Sequence, residues 1–237
     1  MNTALDRETV EIPVGTVVLR ADLVLPPRPH GLVILAHCCG SSRYSPRHQR
    51  VAISLQQRGF ATLLLDLLTP HEEAAYLYTR QCRVDIERLA TRISGATAWA
   101  RSQPALSDLP IGYFAASTGA AAALTAATER GDVSAVVSRG GRPDLAGTAL
   151  EFVSAPTLLI VGSADIDVIE LNKDAMSRMA GVATLAIVAG ATHLFEEAGT
   201  LEEVARLAGE WFEHYCIVRP EATAASPWSA VTADSPR

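Results

Sequence analysis

The sequence predicts an α/β fold built on a mainly parallel central sheet, mostly buried, with helices on both faces. Three observations predict it. Short apolar runs recur along the chain, amphipathic stretches alternate with them, and Gly punctuates the helix ends. Continuous apolar runs suit strands covered on both faces. Alternation with helices implies βαβ units.

The strands are read in order. Thr16–Leu25 follows Pro13 and Gly15 and alternates partly. Gly31–Ala36 and Phe60–Leu65 are continuous apolar runs, the second followed by Asp66. Pro110–Phe114, Val133–Val137, Thr157–Val161 and Thr184–Val188 complete the set. Helices are expected at Arg47–Arg58, closed by Gly59, and at Val84–Arg101. Thr118–Arg130 is Ala-rich and ends at Gly131, Ile169–Met179 ends before Gly181, and Leu201–Tyr215 carries one apolar face. Glycine just past a helix end is a stop signal. Leu67–Arg80 is read as a loop. No internal repeat is visible.

One domain is expected over residues 1–218, and residues 219–237, rich in Ala, Ser, Thr and Pro, read as a mobile tail. The 237 residues are 49% apolar and 19% charged, which excludes disorder of the whole chain. A net charge of −6 argues against a nucleic-acid footprint. No apolar run is long enough to span a bilayer, and the N-terminus lacks the apolar core of a signal peptide. Four cysteines without a CxxC pair point away from a disulfide scaffold or a structural zinc site. The expectation is a cytoplasmic protein needing no metal and no cofactor.

The chemistry-bearing segment is Ile111-Gly112-Tyr113-Phe114-Ala115-Ala116-Ser117-Thr118-Gly119-Ala120. A strand ends in small-x-Ser-x-Gly and a helix follows, the layout of a nucleophile elbow. Only small residues let the chain turn so tightly, and the helix N-terminus favours a developing oxyanion. An acid and a histidine follow in chain order. Asp165 lies just beyond the Thr157–Val161 strand, and His193 just beyond Thr184–Val188. Ser117, Asp165 and His193 each fall at the carboxyl end of a strand, where open α/β sheets place their sites. Asp167 rivals Asp165 from the same loop. Asp165 fits the strand-Gly-x-x-Asp pattern better.

On these phrases, and on ILAHCCGSSRYSPR, VVSRGGRPDLA, LLIVGSAD and ATHLFEE, the sequence resembles the α/β-hydrolase superfamily near its dienelactone-hydrolase-like branch, from about Val10 to Tyr215. The resemblance implies a Ser-His-Asp hydrolase of small esters, lactones or thioesters. It also implies an oxyanion hole from the backbone N–H groups of Cys39 and Thr118. Two departures stand out. The usual His-Gly-x-Gly of the oxyanion loop is His37-Cys38-Cys39-Gly40, and dienelactone hydrolases carry Cys where this chain has Ser117. The 17 residues from Arg139 to Ala155 leave no room for a sizeable cap.

Arg43, Arg47, Arg139 and Arg142 fall in loops at the same edge. They read either as recognition of an anionic substrate, Arg139 foremost because it follows a strand directly, or as ion pairs with Asp144 or Asp66. Tyr76 is a candidate pocket wall. Two other functions remain open at this point: a non-catalytic binding module on the same fold, and an acyltransferase using the same triad.

Overall fold

A computed structural model describes residues 6–37, 42–79 and 85–217. The chain runs β1 (Arg7–Val14), β2 (Val17–Val24), β3 (Leu32–His37), α1 (Pro46–Gln57), β4 (Ala61–Asp66), α2 (Pro70–Thr79) and α3 (Ile86–Ser102). It continues through β5 (Ile111–Ala116), α4 (Gly119–Arg130), β6 (Val133–Arg139), a 3-10 segment (Pro143–Phe152), β7 (Thr157–Gly162), α5 (Ile166–Arg178), β8 (Ala183–Val188) and α6 (Thr200–Tyr215). The eight strands form one sheet in the order β1-β2-β4-β3-β5-β6-β7-β8. Strands β3 to β8 are parallel to one another, and the β1–β2 hairpin joins β4 antiparallel. The proposed tail, residues 219–237, lies outside the described residues.

The continuous apolar runs are strands covered twice. Val33, Leu35, Phe114, Val137 and Ile160 face a core built with α1 and α6. Their neighbours Ile34, Ala36, Leu63, Tyr113 and Val136 face a second core built with α3 and α4. Strand periodicity of two sends successive side chains to opposite faces. A run such as Leu-Val-Ile-Leu-Ala therefore has no polar side to show.

Three parts of the sequence reading need correction. Arg7–Val14 is a strand that the apolar-run criterion missed. As the sheet edge it is mostly exposed, and among its residues only Ile12 is buried. The Leu67–Arg80 segment is not a loop, because α2 occupies Pro70–Thr79. Its start has a signal in Thr69-Pro70-His71-Glu72: Thr69 N–H donates to Glu72 Oε2 at 2.8 Å, and Glu72 N–H donates back to Thr69 Oγ1 at 3.3 Å. This is a capping box with proline at the first helical position. Third, α5 begins at Ile166 rather than Ile169, with Asp165 at its N-cap. The short link between β6 and β7 holds only the 3-10 segment, so no sizeable cap is inserted there, and none is present among the described residues.

Glu72 also accepts from Arg92 of α3 through both carboxylate oxygens, each at 2.8 Å. Arg92 is buried, and its Nη1 reaches the Leu67 carbonyl as well. Hydrogen bonding from Arg92 holds the Glu72 carboxyl down at about 2, against an ordinary 4.5. A depressed folded-state value adds stability that is complete above the ordinary range and is lost as pH falls toward 2. Glu72→Gln is expected to flatten the acid limb of stability between pH 4.5 and 2, measured by urea denaturation across that window.

Candidate active site

The carboxyl ends of β3 to β8 lie on one edge. The chain leaves β3 for β4 on one side and returns to β5 on the other, so β3 and β5 flank the switch in strand order. Open parallel sheets have their crevice there. Ser117 follows β5 at that point.

Ser117 has φ +52°, a left-handed conformation rare for a residue with a side chain. Its surroundings hold it there. Its N–H points to the Arg139 carbonyl at 3.4 Å, and its carbonyl accepts from Arg142 N–H at 3.0 Å and Ala120 N–H at 3.1 Å. The turn is passable because its neighbours are small. Ala115 and Ala120 are fully buried, and a Cβ on Gly141 would overlap Ser138 Oγ and Ala120 Cβ. Asn172, fully buried on α5, donates Nδ2 to the Gly141 carbonyl at 3.0 Å and to the Val168 carbonyl at 2.7 Å. It pins the 140–142 turn that clamps Ser117. Thr118 is the N-cap of α4, and the backbone there meets the positive end of the helix dipole.

His193 sits on a loop stapled to the loop after β7. Ala164 N–H donates to the Ala191 carbonyl at 3.0 Å, Ser163 N–H to the Val188 carbonyl at 2.9 Å, and Gly190 N–H to Ser163 Oγ at 2.8 Å. Gly162 has no room for a Cβ because the Ala191 carbonyl fills that space. Glu197 accepts from Thr192 N–H at 3.1 Å and Thr192 Oγ1 at 2.6 Å. The two loops therefore hold a fixed spacing, and His193 Nδ1 lies 2.6 Å from Asp165 Oδ2. Asp165 is mostly shielded and the imidazole half-exposed. Asp167, by contrast, is exposed on the first turn of α5. Gly140, one residue beyond the carbonyl facing Ser117 N–H, is close to His193: an added Cβ would stand 3.6 Å from His193 Cε1. The elbow and the imidazole thus both adjoin the Arg139–Gly140 turn.

The remaining candidates are placed unequally. Cys39 lies outside the described residues. Tyr76 falls on α2, not on a loop. Arg43 is buried, and its guanidinium is engaged by Asp66, by Asp22 at 3.2 Å and by the Tyr44 hydroxyl. Its backbone N–H also reaches Asp66 Oδ1, at 2.7 Å. Of the two readings of that arginine, the structure favours the ion pair over contact with a substrate. Arg142 is likewise paired, with Asp144 at 2.8 Å. Arg139 differs. It is buried, its Nε has no hydrogen-bond partner, and no carboxylate among the described residues pairs with it. Burial, with the nearby Arg47 charge, pushes it down to about 10. Asn172, Ser163 and Glu197 were not singled out from the sequence. Their roles come from contacts between loops, which no local pattern marks.

No family model matches the chain. It is 54% identical over 211 residues to Mycobacterium tuberculosis proteins provisionally described as phosphoribosyl transferases, covering 88% of this chain. The chain spans about half the length of these curated relatives, 47%. A solved dienelactone hydrolase from Anabaena variabilis is 54% identical, with TM-score 0.87, covering 90% of this chain and 99% of that one. Est1E from Butyrivibrio proteoclasticus shares the fold at 17% identity, with TM-score 0.70 over 87% of this chain and 98% of that one.

Proposed function

The chain belongs to the dienelactone-hydrolase-like branch of the α/β-hydrolase superfamily, and on that premise we propose that it is a serine hydrolase of small esters, lactones or thioesters. The observation that carries the proposal is the 2.6 Å contact between His193 Nδ1 and Asp165 Oδ2, on the sheet edge where the left-handed elbow residue Ser117 also sits. With Nδ1–H donated to Asp165, the other ring nitrogen is left to act as a base.

Ser117 Oγ attacks the acyl carbon as His193 Nε2 takes its proton. The Ser–acyl bond forms while the carbonyl becomes an oxyanion. The backbone N–H of Thr118, at the N-terminus of α4, receives that charge. His193 then returns the proton to the leaving oxygen or sulfur, and the acyl-enzyme is released by water along the same path. Asp165 keeps the imidazole in one tautomer and offsets its positive charge.

The test is capture of the acyl-enzyme. Quenching a reaction with p-nitrophenyl acetate in acid and mapping peptides by mass spectrometry is expected to find acetyl on Ser117. Acetyl confined to lysines or cysteines would overturn the mechanism. A companion pair assigns the acid. Asp165→Asn is expected to lower kcat by about 10⁴-fold through the wrong imidazole tautomer. Asp167→Asn should leave kcat within about twofold, as for an exposed charge away from the imidazole. Equal losses in steady-state kinetics of the two variants would contradict the assignment.

A further inference from the structure

Helix α5 meets the candidate site at two places. Its N-cap is Asp165, which contacts His193. About two turns further on lies Asn172, fully buried. Its Nδ2 donates to the Gly141 carbonyl at 3.0 Å and to the Val168 carbonyl of its own helix at 2.7 Å. Both partners are carbonyls, so only the NH2 end of the amide fits between them. Gly141 belongs to the turn that holds the elbow. Arg142 N–H donates to the Ser117 carbonyl at 3.0 Å, and Gly140 N–H donates to the Ile160 carbonyl of β7 at 2.8 Å. A Cβ on Gly141 would overlap Ser138 Oγ and Ala120 Cβ, so the turn has no slack toward α4. The path from helix to nucleophile is short: Asn172 to Gly141, one peptide bond to Arg142, and Arg142 to Ser117. Ser117 needs such a hold, because φ +52° is unfavourable for an L residue.

Stability alone gives little reason for an asparagine here. Asn172 Oδ1 is buried without a hydrogen-bond partner, and a buried amide with one end unmet is a poor stabiliser. Replacing it by leucine would remove that unmet oxygen and would orphan the Gly141 carbonyl. The two changes oppose each other, so the fold is expected to survive the substitution.

We infer, on the serine-hydrolase reading of Ser117, that Asn172 is a positioning residue for the nucleophile. Through the 140–142 turn it fixes Ser117 in its left-handed conformation. One helix carries both this pin and the acid that orients His193, so the two halves of the triad are referred to one rigid body. Acyl transfer depends on that placement: a displacement of about 1 Å costs roughly 100-fold in rate.

The test compares Asn172→Leu and Asn172→Asp with Arg178→Ala in the full chain. An ionised aspartate keeps the shape of Asn172 and has no donor. Arg178, at the other end of α5, donates to the Gly147 carbonyl at 2.8 Å from an exposed position, so it ties the same helix down away from the elbow. Stopped-flow acylation by p-nitrophenyl acetate separates substrate binding from acyl transfer. Both Asn172 variants are expected to acylate about 10- to 100-fold more slowly at saturation, with substrate affinity within about twofold of wild type. Arg178→Ala should acylate within about twofold of wild type, as for a surface substitution. Acylation by a folded Asn172→Leu at the wild-type rate, or equal slowing in Arg178→Ala, would overturn the inference. Native-state hydrogen exchange of the wild type covers the case in which the variants do not fold. The Arg142 amide, which donates to Ser117, is expected to open together with the middle of α5. Exchange there more than about 100-fold faster than at the amides around Asn172 would overturn the inference without any variant. Shared protection in a wild-type chain that cleaves no ester would support the pin and sink the hydrolase reading alone.

Discussion

Ser117→Ala is expected to lower turnover of an activated ester by on the order of 10⁴- to 10⁶-fold, with the fold intact. The loss is large because attack, proton transfer to His193 and the acyl intermediate all pass through one oxygen. The companion substitution separates chemistry from strain. Ser117 is held at φ +52°, where an L side chain costs about 1 kcal/mol or more. Ser117→Ala keeps that strain, and Ser117→Gly releases it. Both variants should be inactive, and Ser117→Gly should be the more stable by about 0.5–1 kcal/mol in urea denaturation. A Gly variant less stable than the Ala variant would mean that the left-handed turn is not strained.

The largest stability effect is expected at Arg43. Its guanidinium lies between Asp66 at the end of β4 and Asp22 of the antiparallel β2, and Asp22 is 2% exposed. Thr9 Oγ1 donates to Asp22 Oδ1 at 2.9 Å, so the cluster also ties down the edge strand β1. Arg43→Met would remove the cation that the two carboxylates share, leaving Asp22 the 3.8 Å approach of Arg7. Removing one partner of a buried ion pair costs about 3–5 kcal/mol. Denaturant midpoints should show a loss of that size, and adding Asp66→Asn should recover part of it by removing one of the two negative charges. A loss below about 1 kcal/mol, the value of a surface pair, would contradict the burial argument.

What the sequence shows and what it hides follows from the physics of each element. Strands β3 to β7 are legible because they are covered on both faces and so cannot alternate with polar residues. The hairpin strand β1 is hidden because an edge strand with one buried residue has no such pattern. The elbow is legible because its sharp turn demands small residues at Ala115 and Gly119, and the acid and histidine follow as β7 and β8 end. Helix α2 was missed although Thr69 and Glu72 carry a capping signature, because its apolar face is weak. Arg43 and Arg139 look alike in sequence, each an arginine near a strand end. Only the positions of Asp22 and Asp66, brought in by β2 and β4, separate the paired one from the unpaired one. Asn172 and Glu197 act across loops and have no local mark at all.

Labelling with a fluorophosphonate decides whether Ser117 is an activated nucleophile. Such a reagent reacts with a serine whose proton is taken by a base and whose oxyanion is received by donors. One modified peptide containing Ser117 is expected, with loss of p-nitrophenyl acetate hydrolysis in step with labelling, and no labelling of Ser117→Ala or of His193→Ala. A folded wild-type chain that takes no label would leave the non-catalytic binding module as the better reading, and label taken elsewhere while hydrolysis persists would place the nucleophile at another residue.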